Sequence, residues 1–107
     1  MSIADVLERA ADLIEPEGAW TQHEWALGAN GEEDPIGPAV CWCAWGAIYE
    51  ASGRDWTPVA NQAVQAVQAH LDAEIQQWND APGRTQAEVV ASLREAAAKA
   101  RQQEQFS

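Results

Sequence analysis

The chain has 107 residues, 47% of them apolar, and a formal charge of −11 from 17 acids and 6 bases. That length suits one domain with a modest core, which leaves room for homo-oligomerisation. The charge argues against direct nucleic-acid binding, because phosphate contacts need Lys and Arg.

The acids at Asp5, Glu8 and Asp12 replace the basic and then apolar run of a signal peptide. No apolar stretch is long enough to span a bilayer. Cys41 and Cys43 are too closely spaced to suggest a disulfide framework. The expected location is cytoplasmic, with no membrane contact.

Ser2 and Asp5 resemble the cap and first turn of a helix. Ile3, Val6, Leu7, Ala10, Leu13 and Ile14 share one helical face, and Pro16 and Gly18 end it, so the first helix is expected over about 3–15. Residues 16–37 have no helical period. Asn30-Gly31 marks a tight turn, and Trp20, Trp25 and Leu27 pin what is expected to be a long ordered loop. Residues 38–52 carry a single charge, Glu50, and have apolar residues on every helical face, the pattern of a helix buried on all sides. Gly46 inside that helix costs about 1 kcal/mol against Ala, which implies close approach of a neighbouring backbone or ring.

Thr57-Pro58 is a strong helix start, and Val64, Val67, Leu71, Ile75 and Trp78 extend one apolar face over about 58–78. Residues 79–84 break the helix. Thr85 and Glu88 form a capping-box pattern for a fourth helix, with the tail from Gln102 expected to fray. The expected fold is all-α: one compact four-helix domain, residues 1–107, around the buried central helix.

Three constellations carry candidate chemistry. His23, Cys41, Cys43 and His70 lack zinc-site spacing, so no metal and no cofactor are expected. Cys43 lies near a helix start, where the dipole favours thiolate. A base such as His23 or His70, oriented by Asn79 or Asp80, would complete a nucleophilic site. Against it, cysteine most often fills apolar cores. The turn Trp78-Asn79-Asp80 with Arg84 either lines a pocket floored by Trp78 or simply ends a helix through local hydrogen bonds. The third constellation is charge. Nine of the acids but only Arg9 among the bases fall within residues 1–34.

Gly18-Ala19-Trp20-Thr21, Cys43-Ala44-Trp45-Gly46-Ala47-Ile48, and Trp78-Asn79-Asp80 with Arg84-Thr85 and Val89 together resemble an uncharacterised family of small proteins from bacteria and their phages. Its most specific pieces are a Cys-x-x-Gly-Ala central helix and a Trp-Asn-Asp turn. The resemblance covers most of the chain. Cys43 matches the family cysteine, whereas Cys41, His23 and His70 match no family position. The resemblance implies no reaction.

The expected function is therefore a small acidic protein-binding module or regulator, not an enzyme. One version is a phage-related inhibitor whose acids stand in for phosphates against a basic protein partner. The candidate partner surface is Glu15, Glu17, Glu24, Glu32, Glu33 and Asp34. The candidate functional site is Trp20, Cys43, Trp78, Asn79, Asp80 and Arg84. The alternative is a small cysteine-dependent hydrolase or transferase using Cys43 with Asn79 or Asp80.

Overall fold

The first helix, α1 (Ile3–Ile14), begins as its sequence dictates. Ser2 Oγ accepts from Asp5 N at 3.1 Å, and Asp5 Oδ2 accepts from Ser2 N at 3.3 Å, a reciprocal cap. The computed structural model describes residues 2–33, 37–55 and 57–106. Ala4, Val6, Leu7, Ala10, Ala11 and Ile14 of α1 are buried.

The architecture is not all-α. The described residues form five helices and a two-stranded antiparallel sheet: β1 (Ala26–Gly28), β2 (Ala39–Trp42), α2 (Ala44–Ala51), α3 (Pro58–Leu71), α4 (Ile75–Asn79) and α5 (Gln86–Phe106). Two corrections to the four-helix expectation follow. The first concerns residues 38–52. Their unbroken apolar pattern has no helical face, and it suits a strand covered on both sides as well as a buried helix. The strand wins over 39–42. Leu27 pairs with Cys41 and Ala26 with Trp42 on one side of β2. On its other side Trp42 N donates to Ala19 O (2.9 Å) and Thr21 N donates to Trp42 O (3.0 Å). The helix starts only after Cys43, whose Sγ accepts from Gly46 N at 3.3 Å.

The expected long loop is therefore partly sheet. After β1 the chain turns at Asn30-Gly31, with Gly31 in the left-handed region (φ +78°) and Gly31 N bonded to Gly28 O at 3.0 Å. Gly28 N then donates to Glu32 O, and Leu27 bridges Glu33. The layer thus runs, edge to edge, through residues 19–21, β2, β1 and 32–33.

The second correction divides the expected helix 58–78. Asp72 adopts the left-handed conformation (φ 53°, ψ 43°) and ends α3. The side chains of Gln68 and Glu74 then accept from Ile75 N (3.1 Å) and Gln77 N (2.7 Å), which starts α4. Ile75 and Trp78 keep the spacing of the α3 face, so the apolar period runs through a break that it cannot report.

The element that the others pack around is α1, in contact with α2, α3, α5 and β2. Helix α2 buries one side through Ala44, Ala47, Ile48 and Ala51, while Trp45, Tyr49 and Glu50 stay partly exposed. Gly46 meets its expectation: a methyl there would overlap the backbone carbonyl of Trp25, whose oxygen also accepts from Cys43 N at 3.1 Å. Thr85 and Glu88 cap α5 reciprocally, through Thr85 N to Glu88 Oε1 (2.9 Å) and Glu88 N to Thr85 Oγ1 (3.2 Å). No helix among the described residues is long and apolar enough to cross a membrane.

Candidate functional site

Asn79, the last residue of α4, is the single buried polar side chain among the described residues, with none of its surface exposed. An uncompensated amide there would be costly, and every polar atom of this one is paired. Oδ1 accepts from Trp20 Nε1 (2.8 Å) and from Ala44 N (2.9 Å), the first amide of α2. Nδ2 donates to Thr21 O (3.2 Å) and to Asp80 Oδ1 (3.0 Å). One side chain thereby ties the 20–21 segment, the start of α2 and the end of α4 together. Gln22 closes the same junction, with Nε2 donating to Asn79 O (3.0 Å) and Ala81 O (3.1 Å).

Asp80 holds His23. Its Oδ1 accepts from His23 N at 2.9 Å, and its Oδ2 lies 3.8 Å from His23 Nδ1. His23 itself sits in the left-handed region at φ 73°. His23, Cys43 and Asp80 line one cleft of about 110 Å³ with Glu24, Trp25 and Gln76. Small-molecule sites usually enclose about 300–1,000 Å³, so this cleft suits a few waters.

Cys43 is buried, and burial pushes its thiol up to about 11, assisted by the negative charge of Asp80. The Gly46 and Trp45 amides at the helix start pull the other way and do not prevail. A protonated, packed thiol is a poor nucleophile at neutral pH. Cys41 is also buried, and both thiols are free. The pocket expected over Trp78 is filled by Arg84, whose guanidinium carbon lies 4.0 Å from the ring centroid and whose Nε donates to Trp78 O at 2.9 Å.

Residues 1–99 match a family of unknown function, DUF6197. The chain belongs to that family. No curated protein and no solved structure matches it. Membership agrees with the expectation of an uncharacterised family at that level, and it assigns this DUF6197 member no reaction.

The six candidate site residues divide accordingly. Trp20, Asn79 and Asp80 meet in one network; Cys43 borders it through the shared cleft; Trp78 and Arg84 form a separate stack on the outer side of the turn. Sequence reasoning missed Gln22 and the Ala44 amide, whose roles carry no periodic or motif signal. It also missed a second polar cluster. Arg54 reaches Glu50 through Nε (2.9 Å) and Nη2 (3.0 Å), donates from Nη2 to Gly37 O (3.0 Å), and lies over the Trp25 ring. Trp25, Trp45 and Tyr49 contact one another beside it, with Trp45 stacked on Tyr49 at 5.6 Å.

The acids also divide. Arg94 of α5 draws in Glu8 (3.2 Å), Asp12 (3.0 Å) and Glu15 (2.9 Å), and Arg101 reaches Asp5 (3.4 Å). Glu15 is thus committed within the fold. Glu24 lines the His23 cleft, and Asp34 lies outside the described residues. Glu32 accepts from Asn30 N at 3.0 Å, which braces the turn. Glu17, Glu32 and Glu33 are exposed, and none forms an ion pair among the described residues.

Proposed function

We propose that the chain is a non-enzymatic, cytoplasmic binding module that takes a basic protein partner on its sheet side, residues 17–33 and 37–42. The observation that carries this reading is the division of the acids. The acids of α1 and Glu15 are partly offset by Arg94 and Arg101 of α5, whereas Glu17 precedes one edge of the small sheet and Glu32 and Glu33 form the other, with no ion pair among the described residues. Val40 of β2 is 51% exposed, the large apolar side chain most open to solvent among the described residues. An apolar residue with charge around it has the layout of an interface core and rim. A narrower version is a phage-related inhibitor acting on a basic host surface.

The test is capture from a lysate of the native cell at low and high salt. The bait is either the wild-type chain or a Glu17→Lys, Glu33→Lys double variant, with Glu32 left in place because it braces the turn. The expected result is a basic protein held at low salt, released at high salt and lost with the variant. A partner held equally under all conditions would overturn the reading.

One observation favours a second reading, cysteine chemistry at Cys43: His23 and Asp80 converge on its cleft. Alkylation decides it. Modification of Cys43 at pH 7 faster than a free thiol would support that reading, and resistance until denaturation would remove it.

A further inference from the structure

The turn at Asn30-Gly31 joins β1 to the acidic edge at Glu32 and Glu33. Asn30 and Gly31 are both exposed. The side-chain amide of Asn30 makes no hydrogen bond among the described residues; its backbone N–H is held by Glu32 Oε2 at 3.0 Å. Open space surrounds the position where a Gly31 side chain would stand, and the Gly31 amide is restrained by its bond to Gly28 O at 3.0 Å. An unhindered backbone amide next to a free asparagine side chain is the arrangement from which succinimides form, the chemistry behind the thermal lability of asparagine. The other two asparagines are protected. Asn79 is buried with every polar atom paired. Asn61 lies in α3, where the helix fixes the backbone and the next residue is Gln62.

We propose that Asn30 is a site of slow, spontaneous deamidation in the folded chain, and that the Glu32 carboxylate sets its rate. Gly31 N attacks Asn30 Cγ; the N–Cγ bond forms, the Cγ–Nδ2 bond breaks, and ammonia leaves with the proton of the Gly31 amide. Water then opens the cyclic succinimide at either carbonyl, placing its hydroxyl on that carbon and its proton on nitrogen, to give aspartate or isoaspartate. No atom is oxidised or reduced. The reaction needs a local opening in which Gly31 N has left Gly28 O. Glu32 opposes it by holding Asn30 N, and its negative charge disfavours loss of a proton from the amide beside it. Either product adds one negative charge next to Glu32 and Glu33, because its carboxyl group ionises well below neutral pH. A tighter hold on a basic partner is a consequence that rests on the proposed function; the reaction itself does not.

The test is incubation of the full chain in neutral and mildly alkaline buffer, followed by peptide mapping that separates asparagine, aspartate and isoaspartate at position 30. Wild type is compared with Glu32→Ala and with the chain unfolded in urea. Glu32 is exposed, so the variant should fold as the wild type does. The expected result is conversion in the folded wild type at Asn30 and not at Asn61 or Asn79. Glu32→Ala should speed it about fivefold, the scale of one hydrogen bond, and urea should speed it further. A folded chain that keeps Asn30 intact while the unfolded chain loses it would overturn the proposal. So would comparable conversion of Asn61 or Asn79 in the folded chain, or a Glu32→Ala rate equal to that of wild type. Asn30→Asp, used as bait at low and high salt, reads the consequence separately. Retention of the partner to higher salt is expected; unchanged retention would overturn the link to binding, while the peptide map decides the modification.

Discussion

Removal of the Asn79 amide tests the central structural claim. In Asn79→Ala, Trp20 Nε1, Ala44 N and Thr21 O lose their partner together. Each polar group left buried and unpaired costs about 1–3 kcal/mol. Three such groups predict a loss of roughly 3–9 kcal/mol, toward the lower figure because Trp20 and Thr21 are only part-buried and a water can enter the space. Domains of this kind hold about 5–15 kcal/mol in all. Asn79→Asp refines the test, because the shape and the acceptor for Trp20 and Ala44 remain while the donor is lost. A carboxylate then faces Asp80 Oδ1, 3.0 Å from the present amide nitrogen. Two carboxylates at that distance raise the pKa of one of them. A carboxyl group whose folded pKa lies above its unfolded value of about 3.9 destabilises the fold most at neutral pH. The gap between this variant and wild type should therefore narrow as pH falls from 7 toward 5. Urea unfolding by tryptophan fluorescence measures both variants. A loss under about 1 kcal/mol for Asn79→Ala, or a gap for Asn79→Asp independent of pH, would refute the account.

Three further predictions follow from named contacts. Gly46→Ala in an exposed helix would stabilise by about 1 kcal/mol. Here the methyl overlaps the Trp25 carbonyl, so thermal unfolding should show destabilisation of about 1–3 kcal/mol, and a gain would refute the close approach. Cys43, raised from 9.0 to about 11, keeps its proton in the folded state while the unfolded chain loses it, so stability should fall as pH rises from 9 to 11. The pair of values corresponds to about 3 kcal/mol, read as the difference in pH dependence between wild type and Cys43→Ala; parallel curves would contradict the burial of the thiol. Asp72→Gly relieves a left-handed residue at the end of α3 and should raise stability by up to about 1 kcal/mol; a clear loss in chemical denaturation would show that the Asp72 side chain, and not its backbone, matters.

Legibility followed the range of the interactions. The starts of α1 and α5 were readable because each cap is made three residues away, Ser2 with Asp5 and Thr85 with Glu88. The Asn30-Gly31 turn was readable for the same reason. Strand β2 was not, because its partners lie at Ala19–Thr21 and Ala26–Gly28 and its own residues are apolar in either conformation. The break between α3 and α4 falls at Leu71-Asp72-Ala73, which contains neither Gly nor Pro, and its caps come from Gln68 and Glu74. At the site, Asn79 and Asp80 could be singled out as an unusual polar turn. The choice between pocket and lock depended on partners 59, 58 and 35 residues away, which no local pattern specifies.

The same distance effect changes what the net charge means. Counted along the sequence, the negative charge fills the first third of the chain and suggests one continuous acidic surface. Folding places α5 antiparallel to α1, so that Arg94 meets three of those acids and Arg101 a fourth. Pairs this exposed add little stability each, but two arginines against four acids halve the negative charge on that face. Within the first third of the chain, the exposed acids without an ion pair among the described residues include Glu17, Glu32 and Glu33 at the edges of the small sheet, a layer that the helical reading of residues 38–52 concealed. Of the acids expected at the contact surface, Glu15 is held by Arg94 in the fold, so Glu17 and Glu33 are the residues whose reversal tests the proposal.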